Sequence, residues 1–124
     1  MSGEVVITGR LGVTDFRRIA QLTYEAISRA IDRTHAELDR FNQMWVPIDT
    51  GRLRASFVKS VTPGQIAMRW SAVDPKTGFN YAKVQDEGDS RGRFPGWNFS
   101  GNMMEKAKEL LRKYLLMELG AMTP

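Results

Sequence analysis

The most regular signal in the chain lies between Asp15 and Trp45. Ile27, Ile31, Thr34, Leu38, Phe41 and Trp45 recur at alternating steps of four and three, and Phe16, Ala20 and Thr23 extend the stripe backwards. That spacing marks one face of a helix. Arg17, Arg18, Arg29, Arg33 and Arg40 fall between, with acidic partners, as a solvated face requires. Thr14 can cap the helix through its hydroxyl, with Asp15 in the positive first turn. Pro47 disfavours helical backbone at Val46 and stops it there. No Gly or Pro interrupts the segment, so one continuous helix about 45 Å long is predicted. A compact domain of this chain length is only about 35 Å across. The helix therefore outruns its domain and must kink or project; with no Gly or Pro to kink it, packing against another copy of the chain through Ile27, Ile31, Leu38, Phe41 and Trp45 is expected.

Beyond Pro47 the period changes. Leu53, Ala55 and Phe57 alternate with Arg52, Arg54 and Ser56, the pattern of a half-buried strand. Thr62-Pro63-Gly64 is turn chemistry. Ile66, Met68, Trp70 and Ala72 then alternate with Gln65, Ala67, Arg69 and Ser71, completing a predicted hairpin. Asp74 to Gly78 forms a second turn, and Tyr81-Ala82-Lys83-Val84 a third strand. Near the start, Val5-Val6-Ile7-Thr8 is a short β-branched run ended by Gly9, a brief strand or extended arm. Residues 86–101 contain four glycines and read as a loop. Asn102, with Glu105 three residues on, would cap a last helix whose buried stripe is Met103, Ala107, Leu110, Leu111, Tyr114, Leu115 and Leu119, closed by Gly120. The expected architecture is α+β: a small antiparallel sheet of three to four strands, with one long N-terminal and one shorter C-terminal helix, in a single domain spanning 1–124.

Composition narrows the function classes. The chain has 124 residues, 42% hydrophobic and 26% charged, which suits one globular core. It has no cysteine, so disulfides, cysteine–metal sites and a cysteine nucleophile are excluded. His35 is its one histidine, too few for a histidine-built metal site. The start lacks the basic lead and apolar run of a secretory signal, and no apolar stretch approaches the roughly 20 residues that span a bilayer; no membrane role is expected. The +4 net charge lies entirely in residues 46–85, where six Lys/Arg face Asp49 and Asp74. A solvated basic face accounts for that surplus, and an acidic or nucleic-acid partner is the sharper alternative.

The candidate chemistry is thin. Asp49-Thr50-Gly51 matches the loop that carries an aspartic protease carboxylate, and a chain this short would need two copies to build the dyad. Arg52 and Arg54 argue against it, because nearby cations would hold both carboxylates ionised. Asp49 is better read as a turn acceptor, with Gly51 free to take positive φ. His35, beside Glu37 and Asp39, reads as a helix-surface residue. Asp86, Glu87 and Asp89 read as solvated acids, and Gly88, Gly92 and Gly96 lack a phosphate-cradling motif. Arg91, Arg93, Phe94, Trp97 and Phe99 interleave basic and aromatic groups. These types serve single-strand nucleic-acid binders and protein interfaces alike. One short loop favours the interface, with Phe94 and Trp97 partly exposed and Phe99 plugged into the core. No catalytic residue, cofactor or metal is expected.

The order of these pieces resembles a known family. Val5 to Gly9, a long helix, Pro47-Ile48-Asp49-Thr50-Gly51-Arg52-Leu53-Arg54-Ala55-Ser56-Phe57, then Tyr81-Ala82-Lys83-Val84 leading to Gly88, then Pro95 and Phe99 entering a last helix, are similar to the gene-product-ten-like tail component family of tailed bacteriophages. Pro47, Asp49, Thr50, Gly51, Leu53, Ser56, Tyr81, Ala82 and Gly88 fit its pattern. The chain departs from it at Asp86-Glu87 and in the short segment from Asp89 to Pro95. The resemblance implies a non-enzymatic virion protein of the neck or upper tail, made in the host cytoplasm. It would form a homo-oligomer, as a ring, that completes the tail or joins head to tail. Its partners would be itself and neighbouring connector, tail-terminator or tail-tube proteins. A small basic DNA-associated protein is the second reading, and a homodimeric aspartic hydrolase the third.

Overall fold

A computed structural model describes residues 3–47, 51–88, 92 and 94–122. The elements in chain order are β1 (Val5–Gly9), α1 (Val13–Ile19), α2 (Tyr24–Trp45), α3 (Arg52–Ala55), β2 (Val58–Thr62), β3 (Gln65–Trp70), α4 (Ala82–Glu87) and α5 (Phe99–Met122). The fold is α+β, as the period changes predict. The three strands form one antiparallel sheet in the order β1-β3-β2. Val5 pairs with Trp70 on one side of β3, and Val58 with Arg69 on the other.

The single long helix is not present. Ile19 ends α1, and Thr23 opens α2 from an extended backbone, its Oγ1 accepting from Ala26 N at 3.2 Å. No Gly or Pro is needed for this break. The threonine cap satisfies one orphan amide of α2, and the turn folds α1 back so that Ile19 is buried against the core. Asp15 then reaches Arg112 of α5 at 3.1 Å. Gly12, not Thr14, precedes α1, and it makes no side-chain cap bond. With 22 residues, α2 is about 33 Å long and fits within the domain. The inference that an over-long helix demands a second copy therefore falls.

Two predicted strands are also helical. Arg52–Ala55 forms one turn of helix, and the first hairpin strand begins later, at Val58. Residues Ala82–Glu87 form α4, leaving only an isolated bridge between Val73 and Asn80. Asn80 turns the chain here: its Oδ1 accepts from Ala82 N and from Ala72 N, at 3.2 and 3.0 Å, an Asx-turn that leads into α4. The place of a third strand is taken by β1. The last helix starts at Phe99 rather than Asn102, runs through Gly120, and with 24 residues is longer than α2.

The helices α2 and α5 run antiparallel, since Arg29 meets Glu118 near one end and Phe41 and Trp45 meet Lys106 near the other. They cover one face of the sheet, α5 over β1 and β3 and α2 over β2. Ile66, Met68 and Trp70 from β3 point into this layer beside Leu38, Phe99, Met103 and Leu111. Trp70 stacks on Phe57 at 4.9 Å and meets the Phe99 edge at 5.0 Å. Val6, Thr8, Val58, Ser60 and Arg69 lie on the opposite, solvent-facing side of the sheet, the alternation a one-sided antiparallel sheet requires.

Candidate functional site

The corner after α2 carries the residues of the quoted motif. Gly51 takes φ 85°, a left-handed conformation that opens α3. Leu53 is buried beneath it, and Pro47 is half-buried. Ser56 Oγ donates to Leu53 O at 2.7 Å and accepts from Ser71 N at 2.9 Å. Arg54 Nε donates to Val46 O at 2.5 Å, drawing the two ends of the corner together. Asn42, fully buried on α2, ties the corner to the core: its amide donates to Arg54 O, and its Oδ1 accepts from Trp70 Nε1, both at 2.9 Å. Ser56, with Arg54 and Asn42, thus holds the backbone of the corner in place. The Ser56 hydroxyl is thus engaged both as donor and as acceptor. Asp49 and Thr50 lie outside the described residues.

A second constellation closes the loop before α5. Asp86 is buried, and its carboxylate accepts from Ser100 N at 2.9 Å and from Ser100 Oγ at 2.5 Å. It caps α5 from another element rather than standing in solvent, as its loop setting suggested. Trp97 N and Asn98 N donate to Gln85 O and Asp86 O, each at 2.8 Å. The two arms touch through Gly88 and Gly96. A Cβ on Gly88 would lie 2.2 Å from Phe94 O, and one on Gly96 would lie 2.4 Å from Gly88 N. These two glycines permit close approach of backbones. Arg91 and Arg93 lie outside the described residues.

The candidate interface residues are partly brought together. Trp97 is 57% exposed and its ring meets Phe94, which is half-buried, at 6.2 Å. Trp97 shares a surface groove with Met44 and Trp45 from the end of α2 and Asn102, Glu105, Lys106 and Glu109 from the start of α5. Phe41 packs on Trp45 at 4.7 Å, and Lys106 Nζ sits 5.0 and 5.7 Å from these two rings. Such contacts are worth about 0.5–1 kcal/mol at exposed sites. Phe99 is buried under this surface, as its position predicts. The remaining helix residues go elsewhere: Leu38 is fully buried in the chain's own core, and Ile27 and Ile31 pack against it.

Several polar contributors were missed from the helix stripes. Glu118 is buried on α5 and accepts from Arg29 Nε at 2.8 Å. That hydrogen bond holds its carboxyl below the usual carboxylate range and raises the Arg29 guanidinium. A charge on an apolar stripe is unreadable until its partner, 89 positions away, is known. Three of the six basic residues in 46–85 are ion-paired: Lys59 with Asp39, Arg69 with Glu4 and Lys83 with Glu87.

His35 is half-buried, and its Nε2 is buried without a hydrogen-bond partner. Burial, followed by the nearby Lys59 charge, lowers its pKa below the ordinary 6.5, against the opposing pull of Asp32 and Asp39. A base with a lowered folded pKa favours the neutral form, so its stabilising contribution is present above pH 6.5 and is lost as pH falls below it. His35→Leu should therefore flatten the loss of stability between about pH 7 and 5, measured by urea melts. An unchanged acid limb would show that other groups set it.

Among the described residues, no three His, Cys, Asp or Glu side chains gather where they could hold a metal ion. No helix among them is long and apolar enough to cross a membrane. The chain matches no protein-family model, no curated protein and no solved structure.

Proposed function

We propose that this chain is a non-enzymatic structural protein of a tailed-phage particle, acting as an oligomer at the neck or upper tail. The observation that carries this reading is the ordered motif from Pro47 to Ser56 followed by Tyr81, Ala82 and Gly88, in which Gly51, Ser56 and Gly88 shape or brace backbone and Leu53 and Ala82 are buried in the core. A motif built from turn, brace and close-approach residues marks a scaffold rather than a reaction centre. An exposed aromatic groove formed by Trp45 and Trp97 adds a surface of the type that dominates protein interfaces. The DNA-associated reading is weakened by the pairing of the basic residues, and the hydrolase reading by Arg52 and Arg54 beside Asp49.

Deleting the gene from an inducible prophage that carries it, then imaging the lysate, tests the proposal. Full heads and unattached or unfinished tails are expected, with infectivity restored by the gene in trans. Normal infectious particles would overturn the reading, and portal and tail-tube genes beside this one would support it.

A further inference from the structure

We infer that the β1–α1 arm can be exchanged between two copies of the chain, the break at Ala20–Thr23 acting as a hinge that straightens to join α1 and α2 into one helix. The exchange turns on the hinge alone and does not depend on the particle role proposed above. On a helix continuing α2, Val13, Phe16, Ala20 and Thr23 extend the stripe of Ile27, Ile31, Thr34 and Leu38. In the structure this extension faces solvent: Val13 is 71% and Phe16 38% exposed, and Ala20 and Thr23 are exposed with them. Ile19, whose burial seats α1, lies about 100° around the helix from Ala20. The arm thus carries the pattern of a continuation that the broken helix leaves unused.

The break is slight. Ala20 N, Gln21 N and Leu22 N still donate to Phe16 O, Arg18 O and Ile19 O, at 3.1, 3.2 and 2.9 Å. Thr23 departs from the helix through a ψ of 162°, where a helix has about −42°. Ala, Gln and Leu are strong helix formers, so tertiary contacts rather than local preference hold the turn. Straightening cannot leave β1 in its own sheet. Gly9 sits against Met104 and Lys108 of α5, whereas Arg29, near the start of α2, meets Glu118. One straight helix would carry Val13 about 40 Å from Gly9, and the four residue steps between them span at most about 15 Å. The arm must then leave its own β3, and the surface it vacates fits the same arm of a second copy. The pairing of Val5 to Gly9 with β3, the Asp15–Arg112 contact and the burial of Leu11 and Ile19 are all remade between chains. Because every arm contact is kept, exchange through a short hinge is a low-cost route to a dimer.

The chain has no cysteine, and Val6 and Arg69 are strand partners on the solvent side of the sheet. A Val6→Cys chain and an Arg69→Cys chain, co-expressed, purified reduced and then oxidised with diamide, should become joined by a disulfide between these two positions, identified by peptide mass spectrometry. Tyr24→Pro in both chains should weaken the exchanged dimer at least about a hundredfold, read by native mass spectrometry on dilution. The single-chain fold should keep its melting temperature, since Tyr24 is the first residue of α2 and Thr23 before it is already extended. Thr23→Ala removes the cap that favours the break and should strengthen the dimer at least about fivefold. Absence of the interchain link, or a link that neither hinge variant changes, overturns the inference. A dimer whose chains do not join at these positions is held through other surfaces and overturns it as well, while the particle role is decided separately by the deletion phenotype.

Discussion

Gly96→Ala is expected to lower the melting temperature by roughly 12 °C, taking about 4 °C per kcal/mol for a domain of this size. Two costs add. Gly96 has φ 81°, and a side chain in that left-handed region costs about 1–2 kcal/mol. The new Cβ would also lie 2.4 Å from Gly88 N, 2.5 Å from Asp86 O and 2.6 Å from Glu87 C. All three are backbone atoms held by the stem hydrogen bonds, so none can swing aside as a flexible side chain would, and forced overpacking adds about 1–3 kcal/mol. Gly92 provides the control. Its φ is 73°, but nothing among the described residues lies within 4 Å of its Cβ position. Gly92→Ala should therefore show the conformational cost alone. Equal melting temperatures for the two variants, by calorimetry, would mean that close approach at the stem is not what Gly96 supplies.

Asp86→Ala is expected to cost about 3 kcal/mol, combining a buried charge-assisted hydrogen bond with the loss of a helix cap. The carboxylate takes both the amide and the hydroxyl of Ser100 at the positive end of α5. Its removal leaves two buried donors without an acceptor. Asp86→Asn keeps one acceptor and should lose less than half as much. Because the two residues act on each other, Asp86→Ala and Ser100→Ala should be strongly non-additive in a double-mutant cycle read by urea unfolding. Additive effects, or a loss under about 1 kcal/mol for Asp86→Ala, would show that α5 begins independently of this contact. Trp97 is held on the same arm, through its amide on Gln85 O.

What the sequence made legible follows the range of each interaction. The alternation of Ile66, Met68 and Trp70, the turn at Thr62-Pro63-Gly64 and the α5 stripe are local patterns, and the structure has all of them. Leu53, Ala55 and Phe57 misled because so short a run satisfies one helical turn as readily as a strand, and Gly51 opens the turn. The break before Thr23 was hidden because threonine is tolerated within helices. Its reward is tertiary, the burial of Ile19 and the Asp15–Arg112 contact. Asn42, Asp86 and Glu118 were unreadable for the same reason. Each is a polar residue whose partner, Trp70, Ser100 or Arg29, lies on another element. In the candidate interface, Trp97 and Trp45 were each legible as interface residues, but not as neighbours, since only the antiparallel packing of α2 on α5 brings Trp45 and Met44 beside Trp97.

The strand order has a kinetic consequence. The hairpin of β2 and β3 closes over a turn of two residues, Pro63 and Gly64, whereas Val5 must find Trp70 across most of the intervening chain. Short loops close at little entropic cost and long ones more slowly. During synthesis β1 therefore leaves the ribosome first and waits unpaired until β3 appears. Until it docks, β3 presents a bare edge carrying Ile66, Met68 and Trp70, a template for pairing with the wrong chain. The strand that opens the sequence is thus the last to complete the sheet, and it seals the edge most exposed to misassembly.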